Sequence, residues 1–205
     1  SFIIPKKKKL ILITADRYND NSRYLFEYLI NKKKIEVYWI TNRAEISSYL
    51  KSQSLPYVYG KLKCIYYIMR CRLFITSGTS INYLGISSNT IKYTLWHGTG
   101  IKQTEYTNNF KVNMSVLSDI NSFDYVNFTS EFTSKFIAKI VMKIPINKIV
   151  INGYPRFDQL FQNFDYYGIK KSYLKYFGLK KNNNDLKFII YTPTWRKKGD
   201  SYFPI

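Results

Sequence analysis

The sequence predicts an α/β fold built on a parallel, doubly wound sheet, and three observations carry that expectation. Short runs rich in β-branched and aromatic residues recur along the chain and alternate with segments whose apolar residues fall at helical spacing. Several of these runs, Leu10 to Ala15 above all, are apolar at consecutive positions, as strands buried on both faces must be. Strict alternation of strand and helix favours right-handed crossovers and a sheet covered on both sides. With 205 residues, 45% of them hydrophobic and 18% aromatic, the chain can bury one full core and part of another.

Taken in order, Leu10–Ala15 is the first strand, entered from the basic run Lys6–Lys9. Asp20-Asn21-Ser22 offers helix-capping side chains, and Leu25, Phe26, Leu29 and Ile30 follow at helical spacing. Ile35–Thr41 is the second strand, residues 44–53 a helix and Pro56–Tyr59 a brief third strand. Lys61–Arg70 reads as a helix with Leu62, Ile65, Tyr66 and Met69 on its apolar side. Leu73–Thr76 is the fourth strand and runs into Ser77-Gly78-Thr79-Ser80, a loop of small residues. Thr90–Trp96 is the fifth and stops at His97. Gln103–Asp119 is polar with scattered apolar residues, which leaves open a mobile segment or a short amphipathic helix. Tyr125–Thr129 resumes as a strand. Ser130 then caps a helix with Glu131 in its first turn and Phe132, Phe136, Ile137, Ile140 and Val141 on one face. Lys148–Asn152 is a further strand, closed by Gly153-Tyr154-Pro155-Arg156-Phe157-Asp158, and Tyr173–Phe177 suggests another helix. The hydrophilic stretch Lys180–Asp185 marks a domain boundary, after which Phe188–Thr192 opens a fresh strand leading to Pro193-Thr194-Trp195-Arg196. Two domains are therefore expected: residues 1–180, and residues 187–205 as the first strand of a second domain cut off near its beginning.

Charge narrows the partners. Lys and Arg number 32 against 13 Asp and Glu, a formal net charge of +19, which draws nucleic acid, an anionic membrane face or phosphate-bearing substrates. The abundance of Lys, Asn, Ile and Tyr is also what AT-rich coding produces, so charge alone selects none of these. Cys64 and Cys71 lie on or beside one predicted helix, where seven residues rise about 10 Å, too far for a disulfide. With two Cys and one His, a metal site of the usual Cys/His type cannot be assembled, and a reducing cytoplasm fits best. No apolar run approaches the ~20 residues of a membrane span, and the first residues lack a signal peptide's apolar core.

The stretch Tyr93-Thr94-Leu95-Trp96-His97-Gly98-Thr99-Gly100-Ile101-Lys102 concentrates the chemistry. His97 is the only histidine of the chain, and imidazole is the side chain that takes and returns a proton near neutral pH. A strand giving way to a glycine-rich turn leaves backbone N–H groups free to face an anion, and in open α/β sheets ligands bind at that carboxyl edge.

Several stretches together resemble the CDP-glycerol glycerophosphotransferases that polymerise teichoic acids and related capsular polymers. The matching pieces are Asp20-Asn21-Ser22-Arg23-Tyr24-Leu25-Phe26-Glu27-Tyr28, Trp39-Ile40-Thr41, Leu95-Trp96-His97-Gly98-Thr99, Ser130-Glu131-Phe132-Thr133-Ser134, Gly153-Tyr154-Pro155-Arg156 and Pro193-Thr194-Trp195-Arg196. Their order and spacing span almost the whole chain. The resemblance implies a Rossmann-like domain, the N-terminal, acceptor-side half of a GT-B fold, with the nucleotide donor held by a C-terminal domain of which this chain carries only the start. It implies attack by a polymer-end hydroxyl on the β-phosphorus of CDP-glycerol, expelling CMP, with His97 as the general base. Gly98, Thr99, Gly100, Lys102, Arg156 and Arg196 are the candidate phosphate or substrate contacts. No cofactor is implied, and the need for a divalent ion stays open. The acceptor would be a polyol-phosphate or lipid-linked polymer at the inner face of the cell membrane, the basic chain docking peripherally on anionic lipid. By this reading the 205 residues alone do not turn over substrate.

The chain departs from the family pattern in two places: Gly100-Ile101-Lys102 stands where Pro-Leu-Lys is common, and Arg196-Lys197 where Arg-Asp is. Other readings stay open residue by residue. Lys102 also reads as a solvated surface lysine, Arg156 and Asp158 as turn builders, Trp195 as a packing residue, and Ser77–Ser80 as a plain turn. For the whole chain the alternatives are a transferase for another nucleotide-activated polyol phosphate or sugar, and a non-catalytic basic domain that grips a polyanion. Nucleic acid is not expected, because the aromatics sit inside apolar periodic runs. Oligomeric state is not legible.

Overall fold

The computed structural model describes residues 5–32, 34–78, 89–98, 114–135, 138, 143–162, 165–176 and 178. The chain divides into two compact units, Ser1–Gln162 and Asn163–Ile205. In the first unit lie strands β1 (Lys7–Thr14), β2 (Glu36–Thr41), β3 (Tyr57–Tyr59), β4 (Cys71–Thr76), β5 (Ile91–Thr94), β6 (Tyr125–Phe128) and β7 (Ile149–Ile151). Between them run helices α1 (Asp20–Leu29), α2 (Ala44–Ser52), α3 (Lys61–Arg70), α4 (Met114–Asn121) and the short α5 (Glu131–Thr133). The second unit contributes α6 (Tyr166–Tyr176), longer than the helix expected at Tyr173–Phe177. The predicted connector Lys180–Asp185 and the strand Phe188–Thr192 lie outside the described residues, as do positions 103–113.

Among the described residues the strands form one seven-stranded sheet in the order β3-β2-β1-β4-β5-β6-β7, and every neighbouring pair is parallel. The chain lays β2 and β3 on one side of β1, then crosses back to place β4 and its successors on the other. Connections leaving β1 and β4 therefore run apart, and a crevice opens at their carboxyl ends. This is the doubly wound, Rossmann-like arrangement that the sequence predicts.

β1 shows why its residues are apolar without alternation. Leu10 and Leu12 pack on one face with Ile40, Cys64, Ile68 and Phe74. Ile13 packs on the opposite face with Phe26, Trp39, Leu50 and Ile75. The strand begins earlier than expected, at Lys7, whose ammonium reaches Glu36 of β2 at 3.1 Å. On the second face Phe26 and Trp39 meet edge to face, ring centroids 5.6 Å apart, and Tyr18 closes over Trp39 at 4.8 Å. A further cluster of Trp96, Ile120, Phe123, Val126, Phe128, Ile144 and Tyr154 holds the β5–β7 side together.

Three local expectations need correction. In α3 the buried residues are Cys64 and Ile68, while Leu62 is 83% exposed and Tyr66 faces solvent. Apolar residues populate more than one side of this helix, and the pair spaced one turn apart and continuous with Cys71 wins the core. Ser130 caps α5 as expected, its hydroxyl accepting from the Thr133 N–H at 3.2 Å, but Phe132 points outward. Phe136, Ile137, Ile140 and Val141 lie outside the described residues. Asp20-Asn21-Ser22 does not cap α1: the N-cap is Asn19, which makes no side-chain capping bond, and the other side chains are used elsewhere.

These placements predict two measurable contrasts. Phe26→Ala removes a fully buried ring and lowers unfolding stability by about 3–5 kcal/mol, whereas Leu62→Ala changes it by less than about 0.5 kcal/mol, read from urea denaturation. Burial pushes both free thiols, Cys64 and Cys71, from an ordinary 9.0 up to about 11. They resist a thiol reagent at pH 8 until the chain is unfolded. Because folding favours the protonated thiols, their contribution to stability is complete below pH 9 and is lost as pH rises towards 11.

Candidate active site

Threonine ends β1, β2, β4 and β5, and these hydroxyls set the carboxyl rim of the sheet. Thr41, Thr76 and Thr94 each accept the N–H two residues on, from Arg43, Gly78 and Trp96, at 3.1, 3.1 and 3.2 Å. The β-branched carbon stays in the strand while the hydroxyl closes the exit turn. Thr14 donates instead to the Ile40 carbonyl at 2.8 Å.

Beyond Thr94 the chain turns sharply. Trp96 adopts φ +57°, a left-handed backbone that a bulky residue takes only when its surroundings impose it, at a cost of about 1–3 kcal/mol. Its indole is buried in the β5–β7 cluster, 6.4 Å from the Phe128 ring. Its carbonyl accepts the amide of Asn21 at 2.8 Å, and Asn21 is fully buried. So the motif at the start of α1 serves the site. Ser22 does likewise: its N–H and its hydroxyl both meet the Ser77 hydroxyl at 2.8 Å, tying α1 to the end of β4.

His97 follows Trp96 and is exposed at the rim. Its ring stacks on the Trp96 indole, centroids 4.7 Å apart at 26°. Nδ1 lies 3.3 Å from the Ser77 carbonyl. A carbonyl only accepts, so this contact favours the tautomer with hydrogen on Nδ1 and leaves the Nε2 lone pair for an incoming proton.

Arg156 comes from the far end of the sequence. Its Nη1 donates to Asp20 Oδ1 at 2.5 Å and to the His97 carbonyl at 2.9 Å, and its own N–H donates to Asn21 Oδ1 at 3.4 Å. The guanidinium lies 5.2 Å from both the Tyr154 and Phe157 rings. A Cβ on Gly98, where φ is +156°, would stand 3.7 Å from Arg156 Nη2, an ordinary contact distance that places the turn beside the guanidinium. Residues Pro155–Phe161 form a 3-10 helix whose N-cap is Tyr154 and which has no side-chain cap, so Asp158 lies in its first turn without capping it.

The structure thus brings together His97, Gly98 and Arg156 of the expected residues. Thr99, Gly100, Lys102 and Arg196 lie outside the described residues. Sequence reasoning missed Asn127. Fully buried in β6, it accepts from the Tyr93 hydroxyl at 3.2 Å and donates to the carbonyls of Leu95 and Gly153 at 3.4 and 3.3 Å. The signal was present, since asparagine is disfavoured in an apolar strand and needs a reason to be there. Among the described residues no cluster of His, Cys, Asp and Glu is placed to hold a metal ion, and no helix is long and apolar enough to cross a membrane.

Comparison with known proteins adds a family. Residues 1–204 match the family described as CDP-glycerol:poly(glycerophosphate) glycerophosphotransferase. No curated protein matches the chain in sequence. Among solved structures, the wall teichoic acid polymerase TagF aligns with a TM-score of 0.66 at 20% identity, covering 94% of this chain and 49% of that one. A histidine variant of TagF gives 0.69 at 19% identity, and another, soaked with CDPG for 15 minutes, gives 0.70 at 18% identity. At such identity the likeness establishes the fold, and this chain spans about half the length of those structures.

The buried amide at the heart of this edge predicts a specific loss. Asn21→Ala strands the Trp96 carbonyl and lowers unfolding stability by about 1–3 kcal/mol, read from denaturant midpoints.

Proposed function

The chain belongs to the CDP-glycerol:poly(glycerophosphate) glycerophosphotransferase family, and from that premise we propose that it forms the acceptor side of a transferase moving glycerol phosphate from CDP-glycerol to the hydroxyl end of a teichoic-acid or capsule polymer. The observation that carries this reading is the exposed imidazole of His97 at the sheet rim, with Nδ1 turned to the Ser77 carbonyl and Nε2 available.

In the proposed step the acceptor oxygen attacks the β-phosphorus while its proton passes to His97 Nε2. The bond from that phosphorus to the CMP oxygen breaks, its electron pair leaving with CMP, and the imidazolium gives its proton to solvent. General-base assistance of this kind contributes about 10²–10⁴ in rate. The remaining work in phosphoryl transfer is positioning and charge neutralisation. In this reading the N–H groups of Gly98, Thr99 and Gly100 cradle phosphate oxygens, and Lys102 and Arg196 supply cations. Residues 1–180 then serve as the acceptor-side domain, and residues 187–205 as the opening strand of the donor-side domain.

The same reading puts the protein at the inner face of the cell membrane, near a lipid-linked acceptor. Its support is the net charge of +19, since each lysine close to an anionic surface contributes roughly 1 kcal/mol.

The test is transfer of labelled glycerol phosphate from CDP-glycerol to a glycerol-phosphate oligomer by the protein as the cell makes it. His97→Ala is expected to lower turnover by about 10²–10⁴-fold without moving the unfolding midpoint. Turnover equal to that of the parent would overturn the assignment.

A further inference from the structure

We infer that Asp20 and Arg156 form a clasp that fixes the backbone of His97, and that Arg156 acts as a positioning residue and not as a phosphate contact. The inference deepens the reading of His97 as the reacting base and rests on it.

His97 needs such a device. It stands after the left-handed Trp96 and before Gly98 at φ +156°, beyond the last residue of β5 that pairs with a neighbouring strand among the described residues. What holds it is Arg156 on its carbonyl, Ser77 beside its Nδ1 and the Trp96 indole against its ring. Of these, Arg156 reaches in from 59 positions away in the sequence and is itself tied to Asp20, 136 positions away.

The placement of Arg156 argues against duty on a substrate phosphate. Its Nη1 is shared between the Asp20 carboxylate and the His97 carbonyl, and its charge is matched by that carboxylate at 2.5 Å. The guanidinium rests by the rings of Tyr154 and Phe157, which keep it from swinging outward. Asp20 is set for the partnership by its own backbone, at φ +57°, a conformation Asp tolerates better than most residues. Asn21 locks the same junction, giving its amide hydrogen to the Trp96 carbonyl and accepting the Arg156 N–H. A planar fork suits this two-acceptor geometry; an ammonium on a flexible stem does not fix it.

One histidine in the chain makes the test direct, because its ring resonances in a proton–carbon spectrum of the untagged 205 residues need no assignment. Stacked on Trp96, those protons carry a ring-current displacement from the free-histidine position. In Arg156→Ala and Asp20→Asn the displacement is expected to collapse towards the free value, and in Arg156→Lys to recover only in part. In the transfer assay the same variants are expected to lose kcat on the order of 10²-fold with KM for donor and acceptor unchanged. Unmoved ring resonances in a folded variant would overturn the inference, whatever turnover does. So would a raised KM for either substrate with kcat preserved, which is the mark of a phosphate contact. Should Arg156→Ala fail to fold, the isosteric Asp20→Asn carries the same test. If resonances move but the parent protein transfers nothing, the clasp stands and the transferase reading fails.

Discussion

The carboxyl edge depends on a buried hydrogen bond between the Asn21 amide and the Trp96 carbonyl. Trp96 sits in a backbone conformation that costs free energy, and it stays there because three things agree. The indole is packed in an apolar cluster, the N–H is accepted by the Thr94 hydroxyl, and the carbonyl is met by an amide that cannot find water. That turn sends His97 to the rim and brings its ring onto the indole. Without it β5 would run on, and the imidazole would have no defined position relative to Ser77.

Charge at this edge is distributed with some economy. The chain as a whole is strongly basic, yet Arg156, which donates to the His97 carbonyl, is matched by an aspartate and set against aromatic rings. Pairing with Asp20 leaves the Arg156 guanidinium neutralised while it still holds the His97 carbonyl. Net charge therefore informs on where polyanions are drawn, and not on which residue touches a phosphate.

Much of the fold was legible because β1, β2 and β4 are written in residues that only a doubly covered sheet can bury, and because Trp96-His97-Gly98 ends a strand abruptly. The failures have one physical source. Asp20, Asn21 and Ser22 carry the chemistry of a helix cap, and the same short polar side chains serve equally well for bonds to distant backbone. Spacing along a helix cannot tell these apart, because Trp96, Ser77 and Arg156 are brought near only by the sheet order. The orientation of α3 was lost for a related reason, since tyrosines and a leucine on the outer side mimic a core face.

The threonines that close β2, β4 and β5 have a consequence for how such an edge can vary. Each hydroxyl terminates its own strand within two residues, so the segment beyond begins from a fixed post. Insertions or exchanges farther along a connection then have little leverage on the sheet. A framework of this kind can be altered in its outer loops alone, with the histidine, its indole bed and the amide beneath them left as they are.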